Sequence, residues 1–283
     1  MLDRVTIERA RALSGDGPLV VALSGGGDST ALLNLLANEV GAGKLLACVV
    51  DHRLRSGSDA DARRAAGFAA ALGVRAEILT LDWPGGIRRS QRAARRARYA
   101  ALCEAARAAG ANVVALAHTC DDQAETLMMR AAASSRWRGL AGMAALAAAP
   151  VWPEGRGIVL TRPLLGVRRA ALRDYLSTRG AAWMEDPANV NTAFERVRAR
   201  AHLARLERAG FDPMRLAALA ARLREPCEVL NREAAALIAS ACRIEDGVIG
   251  VSAAAWNGDA EVRRRALSAL IAAAAGAERE PPA

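Results

Sequence analysis

The stretch Leu23–Leu36, "LSGGGDSTALLNLL", decides how this chain is read. Three consecutive glycines stand between two serines, an aspartate follows, and a helix-forming run begins. The apolar run before it, "PLVVALS" (18–24), has the make-up of a buried strand, so the glycines fall where a strand ends and a helix starts. Glycine at such a turn permits positive φ and lets backbone N–H groups point inward. The new helix adds its positive dipole end, and together these seat a phosphate on main chain. Ser24 and Ser29 can add hydroxyl donors. Asp28 is the odd element: a carboxylate beside a phosphate is repulsive unless a cation lies between them, so its position suggests Mg2+. A glycine turn alone is more often structural, and it is the serines and the aspartate that point to function. The GxxxxGK[ST] loop is absent, and a GxGxxG reading would lack its third glycine and distal acid.

Three more apolar runs follow, "KLLACVVD" (44–51), "RAEILTL" (75–81) and "NVVALAH" (112–118). Helix-like stretches lie at about 29–40, 59–72 and 89–109, and another starts at 121. This alternation predicts an α/β fold, a parallel Rossmann-like sheet with helices on both faces. Ligands of such sheets collect beyond the carboxyl ends of the strands. Here "SGGGDS", "DHRLRSGSD" and "HTCDDQAET" follow the first, second and fourth strands, and all are polar. The stretch 134–165 reads as an irregular loop or insertion, with a short strand at 158–161 and a helix at 168–178 after it. "AAWMEDPANVNTAFERVRARAHL" leads into another helix, and alanine-rich helices are expected at 213–223, 226–242 and 259–275, with an extended piece at 247–252. "ERAGFDP" breaks the pattern, so the expected domains are 1–208 and 209–283, the second small and mainly helical. The final "GAEREPPA" reads as a frayed tail.

Composition bounds the partners. The 283 residues carry a formal charge of +9, and Lys44 is the only lysine. A surface of forked guanidinium groups suits phosphate and nucleic acid, although a base-rich genome writing arginine for lysine gives the same count. The first twenty residues are interrupted by charges and do not read as a secretory signal. No stretch approaches the ~20 apolar residues of a membrane helix. Five scattered cysteines without a CxxC pair indicate neither a disulfide framework nor a zinc site. A reduced, cytoplasmic protein with no membrane partner is expected.

"SGGGDS" is similar to the SGGxDS loop of the N-type ATP pyrophosphatases, in which that loop holds the pyrophosphate leaving from ATP. Within that superfamily the chain resembles the tRNA(Ile)-lysidine synthetases. "VDHRLRSGSDAD" (50–61), "ARRARY" (94–99), "AHTCDDQAET" (117–126), "GLAGM" (139–143), "RPLL" (162–165) and "EDPANVNTAFERVRAR" (185–200) are similar to the family's segments and in its order. The chain departs from the family in "RAAASSRWRGLAGM", which lacks the usual glycines before GLxxM, and in Asn191, where an aspartate is often found. The region after 210 is short for a family whose larger members carry two C-terminal domains, so one is expected.

Asp122 and Glu125, three apart, and Asp121 and Glu125, four apart, share a helix face near its start, with His118 ending the preceding strand. Such a cluster can hold Mg2+ or orient the amine of a free lysine; the plainer alternative is an acidic first turn that complements the helix dipole. ATP is expected on Ser24, Gly25, Gly26, Gly27, Asp28 and Ser29, with Asp51 and His52 at its nucleoside, and metal on Asp28 and Asp122. Arg98 matches the arginine before the tyrosine of the family segment and is placed at the reacting phosphate. Around it Arg88, Arg89, Arg92, Arg95 and Arg96 form a basic face, from which Arg95 is taken to contact tRNA. Arg196, Arg198 and Arg200 can grip tRNA phosphates or simply face solvent.

The resemblance implies a two-step reaction. The wobble cytidine of a tRNA(Ile) with a CAU anticodon is adenylated at the oxygen of ring position 2 with release of pyrophosphate, and free L-lysine then displaces AMP. Asp28, Arg98, His118, Asp122 and Glu125 are the implied catalytic set. Expected partners are that tRNA, free lysine and, as an open question, a second copy of the chain. The rivals are a tRNA cytidine sulfurtransferase of the same superfamily and a non-catalytic RNA-binding protein.

Overall fold

The structure is a computed structural model, and it describes residues 2–83, 90–133, 137–185, 195–246 and 248–275. Arg88, Arg89, the 186–194 segment with Asn191, residues 134–136 and the tail 276–283 lie outside the described residues. The chain runs α1 (Arg4–Ser14), β1 (Leu19–Ala22), α2 (Gly27–Val40), β2 (Leu45–Asp51), α3 (Ser58–Ala71), β3 (Arg75–Thr80), α4 (Gln91–Ala108), β4 (Val113–Ala115), α5 (Cys120–Ala132) and α6 (Trp137–Leu140). It continues through β5 (Leu146–Ala148), β6 (Val159–Thr161), α7 (Arg169–Ser177), α8 (Glu195–Arg208), α9 (Pro213–Ala241), β7 (Cys242–Glu245), β8 (Val248–Val251) and α10 (Ala260–Ala274).

Six strands form one sheet in the order β3-β2-β1-β4-β6-β5, all parallel except β5, which pairs antiparallel with β6. The period of two along each strand divides the core into two layers. Leu19, Val21, Ala47, Val49, Val113 and Ala115 point to one face and meet Leu32 and Leu36 of α2, Ala65 of α3 and Leu172 of α7. Val20, Ala22, Leu46, Cys48 and Val114 point to the other, against Tyr99, Leu102 and Cys103 of α4 and Val151 and Ile158. With both faces covered, these strands have to be apolar throughout, which is why their sequence shows runs rather than alternation.

The order of β2-β1-β4 puts the topological switch between β1 and β4, the first and fourth strands. The turns after these two strands are therefore neighbours, although they lie about ninety residues apart in sequence.

Three expectations for the local structure change. Within the stretch read as irregular, Leu146–Ala148 is the antiparallel edge strand β5, too short to show a period. The two helices expected at 213–223 and 226–242 are one helix, α9, with Pro226 inside it. A proline removes one N–H and kinks rather than ends a helix when packing holds both sides. Here Ala220 and Cys227 are buried on either side, and the Arg224 guanidinium donates to the Ala141 carbonyl at 2.6 and 3.0 Å and also to that of Gly142. The last residue of the expected helix, Cys242, instead opens β7 of a two-stranded hairpin. Beyond the break at 209–212, α9 packs on α5, and Ala234, Leu237 and Ala241 of α9 form a separate small core with Val262 and Ala266 of α10. Among the described residues no helix is long and apolar enough to cross a membrane.

Candidate active site

The glycine turn is built as its residue types require. Gly25 has φ +77°, a conformation that favours glycine, and a Cβ there would lie 2.1 Å from the end of the Met184 side chain, which would have to move. The Met184 N–H donates to the Gly25 carbonyl at 2.8 Å, which clamps the turn from outside. Inside it, Ser24 N–H donates to Ser29 Oγ at 3.2 Å, the two hydroxyls lie 3.0 Å apart, and Ser29 Oγ donates to the Gly26 carbonyl at 3.0 Å. The serines thus shape the loop as well as offering hydroxyls. Gly26 caps α2 without a side-chain hydrogen bond, so the N–H groups of Gly27, Asp28 and Ser29 open the helix uncapped by any side chain.

On α5 the Thr119 hydroxyl accepts from Asp122 N–H at 3.3 Å, while Asp122 Oδ2 accepts from Thr119 N–H at 2.7 Å and from its hydroxyl at 2.9 Å. This is a complete capping box, so the plain reading of the acidic turn is also true. Asp121 turns elsewhere, accepting from the Arg169 N–H at 2.7 Å and Arg168 Nε at 3.2 Å, which ties the start of α7 to the start of α5.

Between the two turns lies Arg169, a residue the motif reading passed over. Its Nε donates to Asp28 Oδ2 at 3.0 Å, its Nη2 to Asp122 Oδ1 at 3.0 Å and its Nη1 to Glu125 Oε1 at 3.4 Å. Arg196 donates to Glu125 Oε2 at 2.8 Å and Asp122 Oδ1 at 2.9 Å, and Arg200 to Glu125 Oε1 at 2.8 Å. Arg196 and Arg200, expected on tRNA phosphates, are therefore turned inward, whereas Arg198 is exposed. Glu125 has no exposed surface, so it reaches a ligand only through these arginines. The signal for Arg169 was present as the arginine pair just after "RPLL", but nothing in its spacing tells which way the guanidinium points.

One cavity of about 660 Å³ joins these parts. Ser24, Gly26, Gly27, Asp28 and Ser29 line it together with Arg98, His118, Asp122, Arg169, Arg196 and Arg200. Its walls carry seven arginines against four carboxylates, a field suited to a polyphosphate. A neighbouring cavity of about 380 Å³ is lined by Asp51 and His52 and shares Ser24 and Arg98 with the first. Asp51 is buried and accepts from the Arg53 N–H at 2.9 Å. Arg95, by contrast, is exposed and donates to the Tyr99 hydroxyl at 3.1 Å.

Burial sets the charges. Desolvation pushes the Asp28 carboxyl above its ordinary value despite Arg169 beside it. Burial also works against the Asp122 charge, but Arg196 and Arg169 outweigh it and hold that carboxyl below the usual range. Burial pushes the His118 imidazole down to about 3, so it is neutral at pH 7, and its Nδ1 is buried without a partner among the described residues. His52 is lowered by burial and by Arg98. Arg98 is desolvated and makes no hydrogen bond or ion pair among the described residues.

Mg2+ is typically held by one or two carboxylates plus phosphate oxygens and water. Asp28, whose side chain is 25% exposed at the cavity wall, offers that donor set. Asp122 does not offer it, because the cap takes one of its oxygens and two arginines take the other. Among the described residues no three His, Cys, Asp or Glu side chains converge as an all-protein cage.

A PP-loop domain family model matches residues 4–207. A tRNA(Ile)-lysidine synthase from Hyphomonas neptunium is 48% identical over 65% of this chain and 50% of its own length. Another, from Methylobacterium sp., is 40% identical over 94% of this chain and 76% of its own length. The chain spans about half to three-fifths of the length of several curated relatives it matches. Among solved structures, the U34-tRNA thiolase NcsA from Methanococcus maripaludis, with its [4Fe-4S] cluster, aligns with a TM-score of 0.60 over 78% of this chain and 80% of that one, at 16% identity. That likeness is one of fold. With the loop, the acidic helix and the sheet order in place, the chain belongs to the PP-loop family and, within it, to the tRNA(Ile)-lysidine synthases.

Proposed function

We propose that this chain forms lysidine in the cytoplasm, joining free L-lysine to position 2 of the wobble cytidine in a tRNA(Ile) with a CAU anticodon, with release of AMP and pyrophosphate from ATP. One observation carries this reading: a single cavity joins the glycine loop, Arg98 and the acidic helix, so triphosphate, base and amine have one place to meet. The uncapped N–H groups of α2, with Ser24 and Ser29, receive the departing pyrophosphate. Asp28 would hold Mg2+, which when bound supplies positive charge against the leaving group. Arg98, which lines the cavity without a hydrogen bond or ion pair among the described residues, would face the charge that develops at the α-phosphate.

Asp51 and His52 border the nucleoside side of the site. The neutral imidazole of His118 lines the cavity on the side where the lysine amine would lie, while Asp122 and Glu125 keep Arg196 and Arg200 pointed at the cavity. Arg95 and Arg198, both exposed, would meet tRNA phosphates, along with the 209–283 region as a tRNA-contacting domain.

A sulfur-delivering reading would ask for a reactive thiol in this site. Cys120 is buried and its thiol is pushed up to about 11, which makes it a poor nucleophile. The test mixes protein, Mg·ATP, radiolabelled lysine and a CAU-bearing isoleucine tRNA transcript, with a parallel reaction in which a labelled sulfur donor replaces the lysine. Label entering the RNA supports lysidine formation, ATP cleavage with sulfur transfer alone supports the thiolase chemistry, and RNA retention without ATP cleavage supports a binder. In the same assay Asp28→Ala should abolish pyrophosphate release and leave tRNA retention nearly unchanged.

A further inference from the structure

We propose that Arg169 holds the cation position between the glycine loop and α5 while the cavity is empty, and yields Asp28 to the cation when Mg·ATP enters. The inference rests on the ATP site proposed above. The guanidinium touches Asp28 and Asp122 at 3.0 Å each, so it already bridges the two carboxylates to which the sequence had assigned the metal.

Asp28 cannot serve a divalent cation and this guanidinium together. Like charges about 3–4 Å apart repel strongly at a partly buried site, and Mg2+ binding at Asp28 displaces Nε from Oδ2. The main chain of Arg169 cannot follow, because its N–H is held by Asp121 at 2.7 Å and the Val167 carbonyl accepts from Cys120 N–H at 2.9 Å. Movement is therefore confined to the side chain, which lines the cavity where the phosphates would lie.

The α5 carboxylates are insured against its departure. Asp122 keeps Arg196 at 2.9 Å, and Glu125 keeps Arg196 and Arg200 at 2.8 Å each. One side chain thus couples the state of the nucleotide loop to the acidic helix at the base and amine side of the cavity.

The test is equilibrium dialysis of ATP against the full chain, without tRNA or lysine, in EDTA and in saturating Mg2+. Arg169→Ala should weaken ATP binding tenfold or more in EDTA but less than threefold in saturating Mg2+. It should also lower severalfold the Mg2+ concentration giving half-maximal binding. Arg169→Lys, which keeps the charge but cannot span two carboxylates, should recover part of the metal-free binding. Equal losses in both conditions, or no change in either, would overturn the inference. If Arg169→Ala does not fold, Arg169→Lys decides by the same comparison. Wild-type protein that retains no ATP in either condition overturns the site reading itself, and a wild type that binds ATP with an indifferent Arg169 overturns only this step.

Discussion

Glu125 Oε2 and Arg196 Nε lie 2.8 Å apart, an ion pair that joins α5 to α8 beneath the floor of the cavity. Arg169 and Arg200 reach the other oxygen of the same carboxylate. Removing the carboxylate takes the shared counter-charge from three guanidinium groups, of which Arg169 and Arg196 keep Asp122, and losing charged hydrogen bonds of this kind costs about 1.5–3 kcal/mol. Glu125→Ala should therefore lower stability by roughly that amount in urea unfolding and abolish activity with it. A variant of normal stability would show that the arginines find other partners.

Arg98 should behave in the opposite way. It is desolvated without an ion pair among the described residues, so Arg98→Ala relieves a cost instead of breaking a bond. The thermal midpoint should hold or rise while pyrophosphate release falls by about a hundredfold or more, the usual range for losing one donor to developing charge. A midpoint several degrees lower would give Arg98 a structural role.

Gly25→Ala tests the loop itself. The φ of +77° costs a non-glycine residue roughly 1–3 kcal/mol, and the new Cβ must also displace the Met184 side chain. The expected result is a folded protein, moderately destabilised, with ATP binding reduced by much more than the stability. Calorimetry and nucleotide dialysis on one preparation separate the two effects, and unchanged ATP binding would remove the loop from the site.

His118 predicts a pH dependence with a definite sign. Its folded pKa of about 3 lies below the ordinary 6.5, so between those values the unfolded chain binds the extra proton. Stability is intact above about pH 6.5 and falls as pH drops toward 3, by at most about 1.4 kcal/mol per pH unit from this group. His118→Gln should flatten the curve between pH 6.5 and 4.5 in urea titrations. An identical slope in the variant would assign the acid sensitivity to other groups.

The strands, the helices around them and the glycine loop were legible because each depends on neighbours within a few residues. A buried parallel strand must be apolar throughout, positive φ calls for glycine, and Thr119 with Asp122 makes a cap from residues three apart. The same local logic misread α9, since a proline usually ends a helix, and nothing near Pro226 in sequence announces the hold of Arg224 on a loop more than eighty residues earlier. The strand β5 was missed because three residues carry no period.

Sequence alone determined the strand-loop-helix seat at 23–36, the acidic start of α5 and the identity of the charged groups that could serve chemistry. Only the tertiary structure decided how those charges are spent: Asp28 and Arg169 are 141 positions apart and meet because β1 and β4 lie side by side at the switch in strand order. The direction of a long arginine side chain is set by the carboxylates that packing brings within its reach, and no local pattern encodes that. Arg196 and Arg200 are for this reason bound to Glu125 at the cavity.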